Sequence, residues 1–349
     1  MSDLESATLA TLLLPITQGV LPLTNRVGFL RARYGEAMQT LDAAPFTCEQ
    51  TFKPDADTLE RAGFRVATDI TSSAQRYPMM LVLPPRQRDE ARALLARAIA
   101  ATELSGRVVA AAGNNAGARS LETDLAELAG GVTSQSKNKC RVFWTPPLSE
   151  AQVNTTLVQQ WLALDQPRPI LDGTFRSRPG IFAWDRVDPA SQLLADQLPP
   201  GLAGRAADLG AGFGYLAVEL LRRCPGVTSI DLYEAEARAL DLARDNVQSI
   251  AGRIEVNAYW HDVTRGLEKK YDVIVSNPPF HSSSGADDPG LGRRFITAAA
   301  QALTPGGRLW LVANRHLPYE NVLNANFGRV RIAVQQYGFK IIEATRGRS

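Results

Sequence analysis

The chain of 349 residues is poor in cysteine and histidine, two residue types that often hold metal ions, with three of each. Cys48, Cys140 and Cys224 are widely spaced and odd in number, so the sequence shows neither a disulfide framework nor a zinc-binding pattern. We therefore expect no bound metal and a reducing, cytoplasmic environment.

Long apolar runs and a large charge of one sign are also missing. The apolar stretch from Leu9 to Leu23 contains two prolines and a glutamine and follows acidic residues, so we expect neither a signal peptide nor a membrane span. The formal net charge is +2, and nucleic-acid binding would have to depend on local basic clusters. Lys137, Lys139 and Arg141 form one such cluster, for which phosphate binding and simple solvation are equally good interpretations.

The composition is typical of a folded globular protein, with 45% hydrophobic and 21% charged residues. A chain of this length favours two domains. Prolines and glycine at 166–173 interrupt both the helical and the strand periodicity, so we expect domains at residues 1–165 and 166–349. In the first half, strand-like and helix-like segments alternate, which indicates an α/β unit with a parallel sheet.

One stretch in the second half predicts a nucleotide-cofactor turn. An apolar run ends in Asp208, and helical spacing of apolar residues follows over 215–223. Between them, Gly210, Gly212 and Gly214 permit positive φ and let a ligand approach the free N–H groups of a helix N-terminus. Such a turn alone is weak evidence, because similar turns also occur in folds that bind nothing there.

The tetrapeptide Asn277-Pro278-Pro279-Phe280 follows the apolar strand predicted at 271–275. Its prolines fix φ twice and remove two donors, so the Asn277 side chain and the Pro278 carbonyl can be held as fixed acceptors. Two acceptors suit an exocyclic amine whose lone pair is turned toward an electrophilic methyl group, while Phe280 offers a face for a flat base. The alternative is a plain Pro-Pro turn with an apolar anchor.

Together these motifs resemble those of class I S-adenosylmethionine-dependent methyltransferases that modify amino groups. Residues 179–194, the Asn277-Pro-Pro-Phe-His segment and residues 312–319 are similar to the bacterial ribosomal RNA guanine-N2 methyltransferases, specifically the small-subunit RsmC family. The likeness is dense in the second half and patchy in the first. It implies a Rossmann-like α/β fold of two tandem domains, the N-terminal one degenerate, without a cofactor site, and serving as a substrate or RNA surface.

The acid that would bind the cofactor ribose has two candidates, Asp231 and Glu234. The distance in sequence from the glycine turn to Glu234 is close to the spacing expected for such a carboxylate. The resemblance selects Glu234 and implies the other roles. The methionine part of the cofactor would be held by Asp208, Gly210, Gly212 and Gly214, with Phe182 beside it. Asp262 would bind the adenine. The acceptor base would be held by Asn277, Pro278, Pro279 and Phe280, with Asn277 also near the cofactor.

These expectations combine into one function, methyl transfer from S-adenosylmethionine to the N2 amine of a guanine in 16S ribosomal RNA. The expected partner is ribosomal RNA or the small ribosomal subunit, and the expected protein is a cytoplasmic monomer without metal or membrane attachment. Two alternatives stay open. One is the related 23S ribosomal RNA guanine-N2 methyltransferase, and the other is a non-catalytic RNA-binding ribosome-assembly factor with a vestigial cofactor site.

Overall fold

A computed structural model of the protein describes residues 2–72, 74–279 and 289–348. The chain divides into two compact units, Met1–Gln166 and Pro167–Ser349, and each contains a seven-stranded sheet. Among the described residues, no helix is both long and apolar enough to cross a membrane.

The first unit alternates strands with helices through most of its length. Its elements are α1 (Asp3–Thr17), β1 (Val27–Leu30), β2 (Phe46–Glu49), α2 (Lys53–Arg61), β3 (Arg65–Ala67), β4 (Tyr77–Val82), α3 (Arg88–Ala100), β5 (Thr102–Gly113), α4 (Ala118–Ala129), β6 (Thr133–Lys137), β7 (Cys140–Trp144) and α5 (Thr155–Leu162). The strand order is β3-β2-β1-β4-β5-β7-β6.

The sheet of the first unit is parallel through β1 to β5, as the alternation predicts, but β7 pairs antiparallel with both β5 and β6. The expectation of a parallel sheet is therefore wrong for its last two strands. Asn138 and Lys139 connect β6 to β7 with φ values of 53° and 57°. Positive φ at both turn residues is the geometry of a tight antiparallel hairpin, which returns the chain directly without a crossover helix.

The second unit begins with a small hairpin and then builds the larger sheet. Its elements are β8 (Arg168–Ile170), β9 (Phe175–Ser177), α6 (Pro189–Gln197), β10 (Ala203–Leu209), α7 (Tyr215–Arg223), β11 (Gly226–Glu234), α8 (Ala237–Ala251), β12 (Glu255–Trp260), β13 (Tyr271–Ser276), α9 (Pro289–Ala302), β14 (Leu303–Asn314), α10 (Glu320–Asn326), β15 (Arg329–Gln336) and β16 (Phe339–Thr345). The strand order is β12-β11-β10-β13-β14-β16-β15.

β10 lies between β11 and β13, and its last four residues are buried. Helix α7 packs its apolar face against the sheet through buried residues such as Leu216 and Leu220, while Arg222 and Arg223 lie in its last turn, where cations offset the helix dipole. Because a central parallel strand is covered on both faces, its apolar run is nearly continuous. The strand, turn and helix predicted around Asp208 are therefore present.

The last strand, β16, pairs antiparallel with β15, which the sequence does not predict. β15 is an edge strand that carries Arg329 and Arg331, and most of its residues are exposed or half-buried. Edge strands are often charged because charge discourages pairing with other chains. That charge weakens the apolar alternation by which a strand is predicted from sequence.

The two sheets share one topology. When the strands of each sheet are numbered along the chain, both sheets have the order 3-2-1-4-5-7-6. In both, the last residue of the first strand pairs with the last residue of the fourth strand: Leu30 with Val82, and Leu209 with Ser276. Both units therefore have the class I methyltransferase arrangement of strands, and positions in one can be equated with positions in the other.

Candidate active site

The topology of the second sheet gathers four predicted polar residues at one edge. Asp208 is the penultimate residue of β10, Glu234 ends β11, Asp262 follows β12, and Asn277 follows β13. These strands are neighbours and parallel, so their carboxyl ends meet at the same edge of the sheet. Ligands of open α/β sheets bind at this edge.

The glycines of the turn serve different purposes, although all three have positive φ: 76° at Gly210, 56° at Gly212 and 91° at Gly214. A Cβ at Gly214 would lie 3.0 Å from Cα of Ala243, so this glycine allows α8 to pack against the turn. A Cβ at Gly212 would meet no described heavy atom within 4 Å. Gly212 therefore leaves open space beside its backbone, as a cofactor cradle requires.

A cleft that is open to solvent lies over the turn. Phe182 is on its rim with 69% of its surface exposed, and the segment around it bends through positive φ at Gly180 and Ala183. The predicted cofactor residues Phe182, Gly210, Gly212 and Asn277 all line the cleft. Its other lining residues are Ala183, Asp188, Ser191, Ala211, Phe213, Tyr215 and Leu216.

The side-chain amide of Asn277 is held by helix α6. Nδ2 donates to Oδ2 of Asp188 at 2.9 Å and to Oγ of Ser191 at 2.8 Å. Asp188 is also the N-cap of α6, since its Oδ2 accepts from the Ser191 backbone N at 2.8 Å, with Pro189 at the first helical position. Because both amide hydrogens are used, the remaining polar atom of the side chain is Oδ1, an acceptor.

Glu234 connects the end of β11 to the glycine turn. Its Oε2 accepts from the Gly212 backbone N at 2.8 Å, and its Oε1 accepts from the Glu236 backbone N at 2.8 Å. Burial raises the pKa of Glu234 above its ordinary value, although both backbone bonds favour the charged form. The carboxylate therefore ties the end of β11 to the glycine turn, although Glu234 is not among the residues that line the cleft.

Asp208 lies beneath the cleft and does not line it. Its side chain is fully buried, and Oδ2 accepts from the Ala217 backbone N at 3.1 Å, which ties β10 to α7. Oδ1 has no hydrogen-bond partner among the described residues. Burial, together with the nearby Glu234 carboxylate, raises the pKa of Asp208 to about 8. Asp208 thus supports the turn from below and keeps one buried acceptor uncommitted.

Asp262 and the two prolines also lie outside the set of residues that line the cleft. Oδ1 of Asp262 accepts from the backbone N and the hydroxyl of Thr264, at 2.9 and 2.7 Å, and so caps the short turn after β12. Pro278 is buried and Pro279 is exposed. Phe280, the predicted stacking residue, lies outside the described residues.

The first unit keeps the frame of this site with different side chains. The shared register equates Arg31 and Arg33 with Gly210 and Gly212, and Leu83 with Asn277. Arg33 forms an ion pair with Glu5 of α1. The first unit therefore keeps a glycine, Gly35, at the position of Gly214, but it lacks the first two glycines of the turn and the amide after the fourth strand.

Gln50 of the first unit occupies the position of Glu234. Its Oε1 accepts from the Phe52 backbone N at 2.8 Å, just as Glu234 accepts from Glu236, but its Nε2 donates to the Ala32 carbonyl at 2.6 Å. The Gln50 amide therefore accepts from the residue two positions on, as Glu234 does, but its other polar atom is a donor. It bonds to a carbonyl of the turn, where Glu234 accepts from the Gly212 backbone N.

Sequence reasoning missed two supports of the site. It did not predict the bond between Asp188 and Asn277. It also passed over Asn246, a buried residue of α8 whose Nδ2 donates to the Phe213 and Arg176 carbonyls at 2.8 and 2.9 Å. The only signal for Asn246 is a polar residue on the apolar face of an amphipathic helix.

Comparison with known proteins agrees with this geometry. The methyltransferase small domain family matches residues 172–343. A ribosomal RNA small subunit methyltransferase C of Psychromonas ingrahamii is 28% identical over 79% of this chain and 78% of its own length. The protein of the same name from Pectobacterium atrosepticum is 29% identical over 76% of this chain and 73% of its own length.

Among solved structures, the T. thermophilus 16S rRNA N2 G1207 methyltransferase (RsmC), determined in complex with AdoMet and guanosine, superimposes with a TM-score of 0.76. It is 24% identical, and the match covers 94% of this chain and 90% of that one, so the two proteins share the fold. The second unit therefore matches a methyltransferase small domain, and the chain is similar over about three quarters of its length to ribosomal RNA small subunit methyltransferases C.

Proposed function

We propose that this protein transfers a methyl group from S-adenosylmethionine to the exocyclic N2 amine of a guanine in 16S ribosomal RNA. The observation that carries the proposal is the orientation of Asn277, whose Nδ2 is occupied by Asp188 and Ser191 at the edge of the cleft. An amide that presents only its acceptor suits an –NH2 group, which has hydrogens to donate.

The residues of the cleft fit the proposed donor. The open space beside Gly212 and the N-terminus of α7 suit a close backbone approach. We assign Glu234, which accepts from the Gly212 backbone N at the end of β11, to the ribose. We assign Asp208 and the glycine turn to the methionine part, with Phe182 over it, and Asp262 to adenine. When bound, the donor supplies a methyl group made electrophilic by its sulfonium sulfur.

The acceptor side needs positioning more than acid–base chemistry. Asn277 Oδ1 and the Pro278 carbonyl accept the two N–H bonds of the amine, which leaves the nitrogen lone pair for the methyl carbon. The nitrogen then releases one proton to water. Phe280 stacks on the purine, and the target nucleotide leaves any helix that it occupies. Holding two reactants in line is worth several kcal/mol of the barrier, roughly 7 to 11 in favourable cases.

The family supports ribosomal RNA of the small subunit as the substrate, because the relatives of this chain bear that name. The T. thermophilus protein was solved with guanosine, which supports guanine as the base. We extend the proposal to a monomer that works in the cytoplasm, and to a first unit, residues 1–165, that contributes RNA surface beside a catalytic unit at 166–349.

Two measurements test the function. Calorimetry should show S-adenosylmethionine binding to the wild type and its loss in Gly212→Arg, whose side chain would fill the cleft. The purified protein, supplied with labelled donor, should methylate a 16S transcript or the small subunit but not a 23S transcript, with N2-methylguanosine as the product by mass spectrometry. Transfer to 23S RNA would favour the large-subunit alternative, and absence of donor binding would favour an assembly factor.

A further inference from the structure

The catalytic unit has a second groove, open to solvent, whose lining residues differ from those of the cleft. One wall is the short turn after β12, from Thr264 to Gly266, and the other is helix α9. Along α9 the groove is lined by Arg293, Arg294, Thr297 and Gln301. Since a helix rises about 1.5 Å per residue, this wall is roughly 12 Å long.

The groove is basic. Arg265, Arg293 and Arg294 are exposed along it, and no carboxylate occurs among the described residues that line it. At the far end, Lys270 donates from Nζ to the Gln301 carbonyl at 2.5 Å and adds a fourth cation. Because the net charge of the whole chain is only +2, four cations around one groove are a local concentration of positive charge.

Many other arginines on this unit are neutralised by neighbours. Arg222 and Arg223 pair with Glu219, and Arg244 pairs with Asp241. Arg293 and Arg294, by contrast, form no ion pair with another described residue. Both arginines line the groove, so an anion bound there would meet two guanidinium groups.

The groove opens at the same edge of the sheet as the cleft. Phe295, the residue after Arg294, approaches the glycine turn, since its ring lies 3.5 Å from the Cβ position of Gly210. The opposite wall begins at Thr264, which is bonded to Asp262 at the carboxyl end of β12. One end of the groove therefore lies toward the edge of the sheet at which the cleft opens.

We propose that this arginine groove binds backbone phosphates of the RNA next to the target guanine. This inference rests on the proposed function and identifies the surface that presents the nucleotide. The acceptor residues contact only one base, so they cannot hold the strand against the cleft by themselves. A guanidinium group can donate two parallel hydrogen bonds to one phosphate. Phosphate contacts fix the position of the RNA strand on the protein, while contacts to the base determine which nucleotide is recognised.

The test compares two double variants that change the net charge equally. Arg293→Gln/Arg294→Gln alters the groove. The control, Arg253→Gln/Arg329→Gln, alters exposed arginines near the amino end of β12 and at the start of β15, away from the carboxyl edge. Binding is measured with a fluorescein-labelled single-stranded 12-nucleotide RNA over a series of salt concentrations, and methyl transfer is measured on a 16S transcript.

The groove variant should bind the 12-mer about tenfold or more weakly, and the slope of log affinity against log salt should fall by about 1.4, since each phosphate contact in a single strand contributes about 0.7. KM for the transcript should rise, while kcat at saturation and S-adenosylmethionine affinity stay near wild type. The control should match the wild type in every measurement.

Equal RNA affinity and equal salt slope in the two double variants would overturn the groove proposal. This failure is distinct from failure of the proposed function. If the wild type methylates the transcript and the groove variant does so with an unchanged KM, only the groove is wrong. If the wild type neither binds donor nor transfers methyl groups, both proposals fall.

Discussion

Asn277 donates its side-chain amide to the carboxylate of Asp188 at 2.9 Å, across 89 positions of sequence. The bond joins the end of β13 to the first turn of α6. Ser191 takes the second amide hydrogen, and its own backbone N is capped by the same Asp188 oxygen. One carboxylate therefore fixes both the start of the helix and the direction of the acceptor-binding amide.

Replacement of Asp188 by alanine should lower kcat by about ten- to a hundredfold, because a hydrogen bond to a charged group is worth roughly 1.5 to 3 kcal/mol. Loss of the helix cap should also destabilise the protein by about 1 kcal/mol. Asp188→Asn keeps a capping oxygen and should recover most of the stability and part of the rate. Steady-state kinetics and thermal unfolding of both variants provide the measurement.

A double-mutant cycle gives the control for this assignment. If Asp188 acts through Asn277, the pair Asp188→Ala/Asn277→Ala should be scarcely slower than Asn277→Ala alone, because the residue that Asp188 positions is already absent. Additive losses in kcat would show that Asp188 contributes by another route.

Alanine at Gly214 should reduce stability more than alanine at Gly212, whereas alanine at Gly212 should directly weaken donor binding. Gly214→Ala should unfold at a markedly lower temperature, because its Cβ would lie 3.0 Å from the Ala243 backbone. Gly212→Ala meets no such neighbour and should lose only about 1 to 2 kcal/mol from its positive φ. Its Cβ would nevertheless occupy cofactor space, so donor affinity should fall. Equal unfolding temperatures would contradict the distinction.

Stability without donor should depend on pH through Asp208. Its folded-state pKa of about 8 lies above that of an unfolded aspartate, so the native state binds the extra proton between these values. The free energy of unfolding should therefore fall as pH rises from about 4 to 8, by at most about 1.4 kcal/mol per unit.

Asp208→Asn provides the matched control for this pH dependence. Its amide oxygen can still accept from the Ala217 backbone N, as Asp208 does at 3.1 Å, but it carries no titrating proton. Urea unfolding from pH 4 to 9 should show a difference between the two proteins that grows in favour of the variant as pH rises. Parallel curves would mean that Asp208 is not the responsible group.

Glu234→Gln should weaken donor binding about tenfold or more while the fold is retained, since the first unit already folds with Gln50 at the equivalent position. By analogy with Gln50, the new amide would accept from the Glu236 backbone N and lose the bond from Gly212. Calorimetry measures the change, with Glu255→Gln, an exposed substitution on β12, as control. Wild-type donor affinity in Glu234→Gln would count against its assignment to the ribose.

Segments with a strong local pattern were predicted well from sequence. Helix α7 has the predicted limits, because its apolar spacing is regular and the glycine turn precedes it. Helix α1 and edge strand β15 were not predicted. Pro15 lies inside α1, where proline normally argues against a helix, and charged residues mask the pattern of β15.

The sequence by itself determined the family-level features of the site, because the glycine turn and the Asn277-Pro-Pro-Phe segment are short motifs whose backbone requirements are local. Only the tertiary structure decided that Asp188 orients Asn277, that Glu234 holds Gly212, and that three arginines from two separate segments line one groove. These relationships join residues far apart in the chain, and packing of helices on a sheet, which no local pattern encodes, brings them into contact.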